Sequence, residues 1–206
     1  MRRVILAPHM DDESLGCGGL LAKYPDECTV LTIAAGDETR RSEHRKAMET
    51  LRVKNYENLG FKDGDVAASA VALVDALDRK FAELMPHEVY LPYPSLHQDH
   101  ISVYEAGLRA CRISMSVDHW FPPVVMVYDI QVYDVNLYAH ELRWNVYESL
   151  TEEQAELKAA ACKAYSSEIP GESHPMNFVK ELSAAAGSVR RLPFAEQYSL
   201  VRQIRS

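Results

Sequence analysis

The 206-residue sequence predicts an α/β fold: a three-layer sandwich around a mostly parallel sheet, with a β-rich and helical extension toward the C-terminus. Two observations predict it. Short apolar runs alternate with segments whose apolar residues recur at helical spacing, a pattern that implies parallel strands joined by crossover helices. Two clusters of histidine and carboxylate residues directly follow such apolar runs, and open α/β sheets bind their ligands where strands end.

The elements follow in order. Residues 3 to 7 form an apolar strand, 15 to 24 a helix, and Cys28 to Ala34 a second strand. Arg40 to Lys54 places Ala47, Met48 and Leu51 at helical spacing on a charged background. Ala68 to Met85 repeats the pattern with Val71, Leu73, Val74, Leu77, Phe81 and Leu84, so these stripes are core. Val89 to Leu91 is a buried strand, Ile101 to Cys111 a helix, and Val124 to Val135 a strand region rich in Val and Tyr. Leu137 to Tyr147 continues it as an antiparallel extension. Thr151-Glu152-Glu153-Gln154 is a capping box that starts a helix running to about Tyr165. Ser166 to Pro175, with Pro170-Gly171, is a loop expected to border the site. No linker, repeat or low-complexity tract interrupts the chain, so residues 1–206 are expected to form a single, Rossmann-like domain.

Composition restricts the function classes. A content of 47% hydrophobic and 25% charged residues excludes a largely disordered chain, and the length suffices for a substantial core. A net charge of −8 argues against nucleic-acid binding through phosphate contacts but permits a neutral sugar. The apolar run after Met1-Arg2-Arg3 is too short for a signal peptide core or a membrane span, which makes a soluble, cytoplasmic protein the expectation. Cys17, Cys28, Cys111 and Cys162 lack metal or redox spacing and suit reduced, mostly buried thiols.

The first cluster is His9-Met10-Asp11-Asp12-Glu13-Ser14, after Val4-Ile5-Leu6-Ala7. Three adjacent acids repel one another unless a cation or hydrogen-bond donors balance them. They also fit a capped helix start, where acids are favoured by the dipole. The second cluster, His97-Gln98-Asp99-His100 after Val89-Tyr90-Leu91, shifts the balance toward a metal, because catalytic zinc takes three imidazole or carboxylate ligands and keeps one position open. A tight turn aims His9 and Asp12 at one point, leaving Asp11 free to act on water. His44, His87, His119, His140 and His174 carry no second signal and are read as structural. Gly16, Gly18 and Gly19 lack the final glycine of a dinucleotide fingerprint, and no Gly-Lys-Ser/Thr phosphate loop is present, so they are read as letting the helix pack close to the sheet.

With these residues in view, the chain resembles the PIG-L/LmbE-like metal-dependent N-deacetylases, whose motifs read His-Pro-Asp-Asp-Glu and His-x-Asp-His. Ala35-Gly36-Asp37, the Arg40, Glu43, Ala47 and Leu51 spacing, and Leu59-Gly60-Phe61-Lys62-Asp63-Gly64 extend the likeness. So do, more weakly, Lys158 through Tyr165-Ser166-Ser167 and Ala195-Glu196-Gln197-Tyr198. Met10 stands where the family usually has Pro, and Glu168 where Gln is usual.

The resemblance implies hydrolysis of an amide with a divalent metal, zinc first and another divalent ion as the substitute, held by His9, Asp12 and His100. Asp11 becomes the general base, and a protonated His97 stabilises charge on the acyl oxygen. Asp99 either orients His97 and raises its pKa or contacts His100. Glu13 supports the turn. Arg40 reaches the substrate or, as a surface cation, pairs with Glu43 or Asp37. Asp37 contacts sugar hydroxyls or caps the next helix, and Tyr93 and Ser95 line the pocket or serve an ordinary loop. The implied substrate is a small N-acetylated amino sugar, such as an N-acetylglucosamine conjugate. Two other classes are weighed against it: a metallohydrolase for another amide or an ester, and a non-catalytic metal- or sugar-binding module. The latter would normally show a broken base or ligand position, and none is broken. Val124 to Tyr147 exceeds what the core sheet requires, so a homo-oligomer is compatible with it; Tyr128-Asp129-Ile130 and Trp144-Asn145-Val146-Tyr147 suit an interface or the cover of a sheet edge.

Overall fold

Parallel strands organise the chain, a computed structural model describing residues 1–130, 132 and 142–205. Its sheet runs β3 (Asn55–Phe61), β2 (Cys28–Ala34), β1 (Arg3–Ala7), β4 (Glu88–Pro92), β5 (Val124–Tyr128), β7 (Phe194–Gln203), β6 (Val146–Leu150). The pairs β1–β2, β1–β4, β2–β3 and β4–β5 are parallel; β7 pairs antiparallel with both β5 and β6. Strand order therefore reverses beside β1, where one connection leads to β2 and the next neighbour is β4. This is where open α/β sheets form a ligand crevice.

Side chains alternate across the sheet and create two cores. Val4, Leu6, Leu31, Ile33, Val89, Leu91, Val125 and Val127 meet α3 (Ala70–Leu84) and α4 (Gln98–Ala110) through Leu73, Leu77, Phe81, Val103 and Ala106. On the other face Ile5, Val30, Tyr90, Tyr128 and Tyr198 pack against α1 (Asp12–Lys23), α2 (Glu38–Thr50), α5 (Glu152–Ala164) and the start of α6 (Val179–Ser188). The period-2 pattern thus produces the three layers.

The first helix comes unusually close to the sheet. A Cβ on Gly16 would lie 2.1 Å from Cδ2 of Tyr128, and one on Gly19 would lie 2.3 Å from Cδ1 of Leu150. Glycine is required there by approach, as the sequence implied. Behind it lies a buried ion pair: Lys158 Nζ donates to Glu196 Oε1 at 2.8 Å, with both side chains essentially inaccessible. Glu196 also accepts from Gly19 N, Leu20 N and Tyr198 Oη. One carboxylate therefore ties α1, α5 and β7 together, and its full set of donors offsets the cost of burying its charge.

Several boundaries differ from expectation for physical reasons. β3 went unrecognised because it is an edge strand, exposed over most of its length and without apolar alternation. The helix predicted to reach Lys54 ends at Thr50. α4 starts at Gln98, so the second cluster is a helix cap and first turn. Of the strand predicted from Val124 through Val135, β5 covers Val124–Tyr128, and residues 131 and 133–135 lie outside the described residues. Residues 137–141 of the predicted extension lie outside the described residues; its end joins β6, and the antiparallel pairing falls on β6 and β7. α6 and β7 were not assigned from sequence. The Thr151 capping box forms, with Thr151 Oγ1 and Gln154 Oε1 accepting each other's backbone N–H. All four cysteines are buried thiols. Tyr128, Asp129 and Ile130, suggested for an interface, are buried within the fold. Trp144 packs over one core beside Tyr93.

Candidate active site

The loops leaving β1 and β4 bring the two clusters together at the sheet's reversal point. His9 and Asp12 are joined by a tight turn in which His9 N donates to Asp12 Oδ2 at 3.0 Å. The same oxygen lies 3.4 Å from His9 Nδ1 and 3.3 Å from His100 Nε2. Asp12 and His100 are buried and His9 is 19% exposed. Burial opposes ionisation of Asp12, but His100 and His9 outweigh it and lower its pKa. Burial likewise works against the His9 cation, yet Asp12, Asp63 and Asp11 raise its pKa to about 9. Two imidazoles and a buried carboxylate converging on one point form a donor set of the kind zinc takes. Donor atoms of His9, His97 and His100 also lie within 4.8 Å of one another, as do those of His9, Asp63 and Asp99.

Asp11 occupies the turn between the strand and α1 with φ 147°, a conformation L side chains rarely adopt. Such backbone costs about 1–3 kcal/mol and persists only where neighbours enforce it. Three contacts enforce it here. Asp11 N donates to Glu13 Oε2 at 3.1 Å, while Arg40 Nη2 donates to Met10 O at 2.7 Å and to Asp11 Oδ2 at 3.1 Å. Glu13 is itself buried and accepts from Ser14 Oγ and Tyr165 Oη at 2.7 and 2.6 Å. Burial would raise the Glu13 pKa, but His44, Tyr165 and Ser14 lower it. Asp11 shifts the opposite way. Burial and repulsion from Asp12 push its carboxyl well above the ordinary range, with Arg40 pulling it down. A carboxyl so placed holds a proton more readily than its neighbours.

His97 and Asp99 lie at the start of α4. His97 is the N-cap of α4, and its Nδ1 accepts from Asp99 N at 3.2 Å, which leaves Nε2 as the protonated nitrogen of the neutral ring. Burial and the imidazoles of His9 and His100 lower the His97 pKa; Asp99 opposes them without prevailing. That direction favours a neutral N–H donor over the protonated ring expected from the sequence. The Asp99 carboxylate reaches beyond this helix cap. Its Oδ2 accepts from Gly64 N at 2.8 Å and lies 3.3 Å from His9 Nε2, while Oδ1 accepts from Val66 N at 3.2 Å. Buried Asp99 thus ties the loop after β3 to the β1 exit.

These residues open on a cleft of about 540 Å³ lined by His9, Asp11, Asp37, Arg40, Asp63, His97 and Glu168, with Met10 and the Ala34–Gly36 backbone behind. Arg40 points inward, pairing with Asp11 and lying 3.3 Å from Glu168 Oε1 and 3.8 Å from Glu43 Oε2. Asp37 caps α2 by accepting from Arg40 N at 2.8 Å. Tyr93 is buried, and Ser95 Oγ accepts from His97 N. Sequence reasoning missed Asp63 and Glu168 as cleft residues, although both lay in quoted motifs. It also read His44 as structural on its own, whereas its Nδ1 is 2.8 Å from Tyr165 Oη in the chain leading to Asp11.

Comparison with known proteins bears on the fold and the family. The chain is 28% identical over 183 residues to the uncharacterized deacetylase YaiS of Escherichia coli K12, covering 81% of this chain and 92% of that one. It superposes on the N,N'-diacetylchitobiose deacetylase of Pyrococcus horikoshii with a TM-score of 0.77 at 19% identity, over 97% of this chain and 83% of the other. GalB, the 4-carboxy-2-hydroxymuconate hydratase of Pseudomonas putida KT2440, matches with a TM-score of 0.77 at 16% identity over 100% and 98%. The shared fold thus carries more than one chemistry. The pattern of the PIG-L family, described as GlcNAc-PI de-N-acetylase, matches residues 4–111 across both clusters, and the chain belongs to this deacetylase family.

Proposed function

We propose that the protein is a zinc-dependent hydrolase that removes the N-acetyl group from a small N-acetylated amino sugar, an N-acetylglucosamine-type conjugate. The observation that carries the reading is the placement of Asp12 Oδ2 between His9 and His100, with Asp11 beside it in the cleft. His9, Asp12 and His100 would hold the metal, which when bound supplies Lewis-acid polarisation of a water and of the acyl oxygen.

The chain's own residues supply the proton chemistry. Asp11, its pKa raised by burial, accepts the proton of the attacking water and passes it to the departing amine nitrogen. Arg40 and Glu13 hold that carboxylate in its strained position. His97, its Nδ1 engaged by Asp99 N, offers Nε2–H to the oxyanion. Asp99 braces His9 and the Gly64 loop. Asp37 and Asp63 face the sugar side of the cleft, and Arg40 acts on substrate through Asp11.

Metal content and amine release separate these roles. His100→Ala is expected to lose both zinc and activity, whereas Asp11→Ala is expected to retain zinc and lose at least about 100-fold in rate, the usual contribution of a general base. A metallated, active His100→Ala refutes the ligand set. Esters and other amides assayed in parallel distinguish N-deacetylation from a broader hydrolase.

A further inference from the structure

The cleft's charge is set by one contact. Four carboxyl-bearing residues line it, Asp11, Asp37, Asp63 and Glu168, against Arg40 as the one arginine or lysine among the described lining residues. An arginine beside a sugar site ordinarily offers a bidentate fork to a phosphate or carboxylate. Arg40 is enclosed by its neighbours. Its Nη2 is engaged by Met10 O and Asp11 Oδ2, its Nη1 is buried without a hydrogen-bond partner but ion-paired with Glu168 Oε1 at 3.3 Å, and its guanidinium carbon lies 5.3 Å from the Tyr165 ring centroid. Arg41, which could have substituted, turns away to Glu38 Oε2 and Gly36 O. Glu168 is half exposed at the cleft wall, so its remaining lone pairs face whatever enters.

We propose that Glu168 determines specificity by occupying the outer side of Arg40, so that the cleft admits amino sugars with neutral or cationic substituents and rejects anionic ones. This deepens the deacetylase reading and rests on it for the position of the sugar. The charge preference itself follows from the lining. A carboxylate or phosphate entering the cleft meets Asp37, Asp63 and Glu168 along its wall, with Glu168 set against the Arg40 cation, and like charges juxtaposed at an interface suppress the wrong partner. A substituent bearing an amine meets the same three groups as partners.

Three matched glycosides of N-acetylglucosamine test it, carrying hydroxyethyl, aminoethyl and carboxymethyl groups. They are assayed on zinc-reloaded protein both for amine release and for binding by saturation-transfer NMR. Wild type is expected to favour the neutral and cationic glycosides over the anionic one by at least about tenfold in kcat/KM, and Glu168→Gln to shrink that gap to about threefold. Added salt should narrow the wild-type gap in the same direction. An anionic glycoside used as well as the neutral one, or a gap unmoved by Glu168→Gln, overturns the proposal, as does the binding of none of the three. If all fail to release amine yet the binding order holds, the deacetylase reading falls while the charge selection stands.

Discussion

At the scale of single residues, the site depends on backbone held where an isolated chain would not hold it. Asp11 carries a positive φ because Glu13, Arg40 and the start of α1 leave its peptide no alternative, and the result is a carboxyl aimed into the cleft. Glu13→Ala removes the acceptor for Asp11 N and strands the Tyr165 and Ser14 hydroxyls, so it is expected to lower kcat more than it raises KM. A stability loss of about 1–3 kcal/mol should accompany it in chemical denaturation. His97→Ala is expected to keep zinc and slow amine release about 100-fold, the size of losing one oxyanion donor. A rate equal to wild type would move that role to another group. The residues proposed as ligands and base were legible as candidates in the sequence because His9, Asp11, Asp12 and His100 stand in two short motifs. The contacts of Asp99 and the tautomer of His97 were not, since both depend on α4 beginning inside the second motif and on a loop brought in from β3.

At the scale of elements, periodicity revealed what is buried on one stripe or one alternating face, and little else. α3 was predicted within two residues at its start and one at its end because Leu73, Leu77 and Phe81 form its inner stripe. β3 escaped because exposed edge residues carry no pattern, and β7 because its purpose lies partly in Glu196, whose partners come from α1 and α5. That carboxylate makes a direct prediction. Lys158→Ala leaves Glu196 charged and buried without its cation and is expected to destabilise the fold by about 3–5 kcal/mol, measured by denaturant unfolding, whereas replacing both partners with apolar residues should cost less. Gly16→Ala tests the close packing of α1. Its Cβ would collide with the Tyr128 ring, and a loss of about 1–3 kcal/mol is expected from overpacking.

At the scale of the whole molecule, the sheet order places the site. Reversal beside β1 opens a crevice at the ends of β1 and β4, so residues about 90 positions apart, His9 and His100, converge on one carboxylate. Antiparallel β7 and β6 extend the sheet away from that crevice and anchor α1 through Glu196. Among the described residues no helix is long and apolar enough to cross a membrane. Because the proposed metal binds the folded arrangement and not its separate segments, zinc at 100 times its Kd should raise stability by about 2.7 kcal/mol in wild type and leave His100→Ala unchanged. The central claim is tested most directly by primary-amine release from N-acetylglucosamine and its conjugates, using protein stripped of metal, the same protein reloaded with zinc, and reloaded Asp11→Ala. The account predicts release by the reloaded wild type alone. Equal release before and after reloading, or by Asp11→Ala at the wild-type rate, would contradict it.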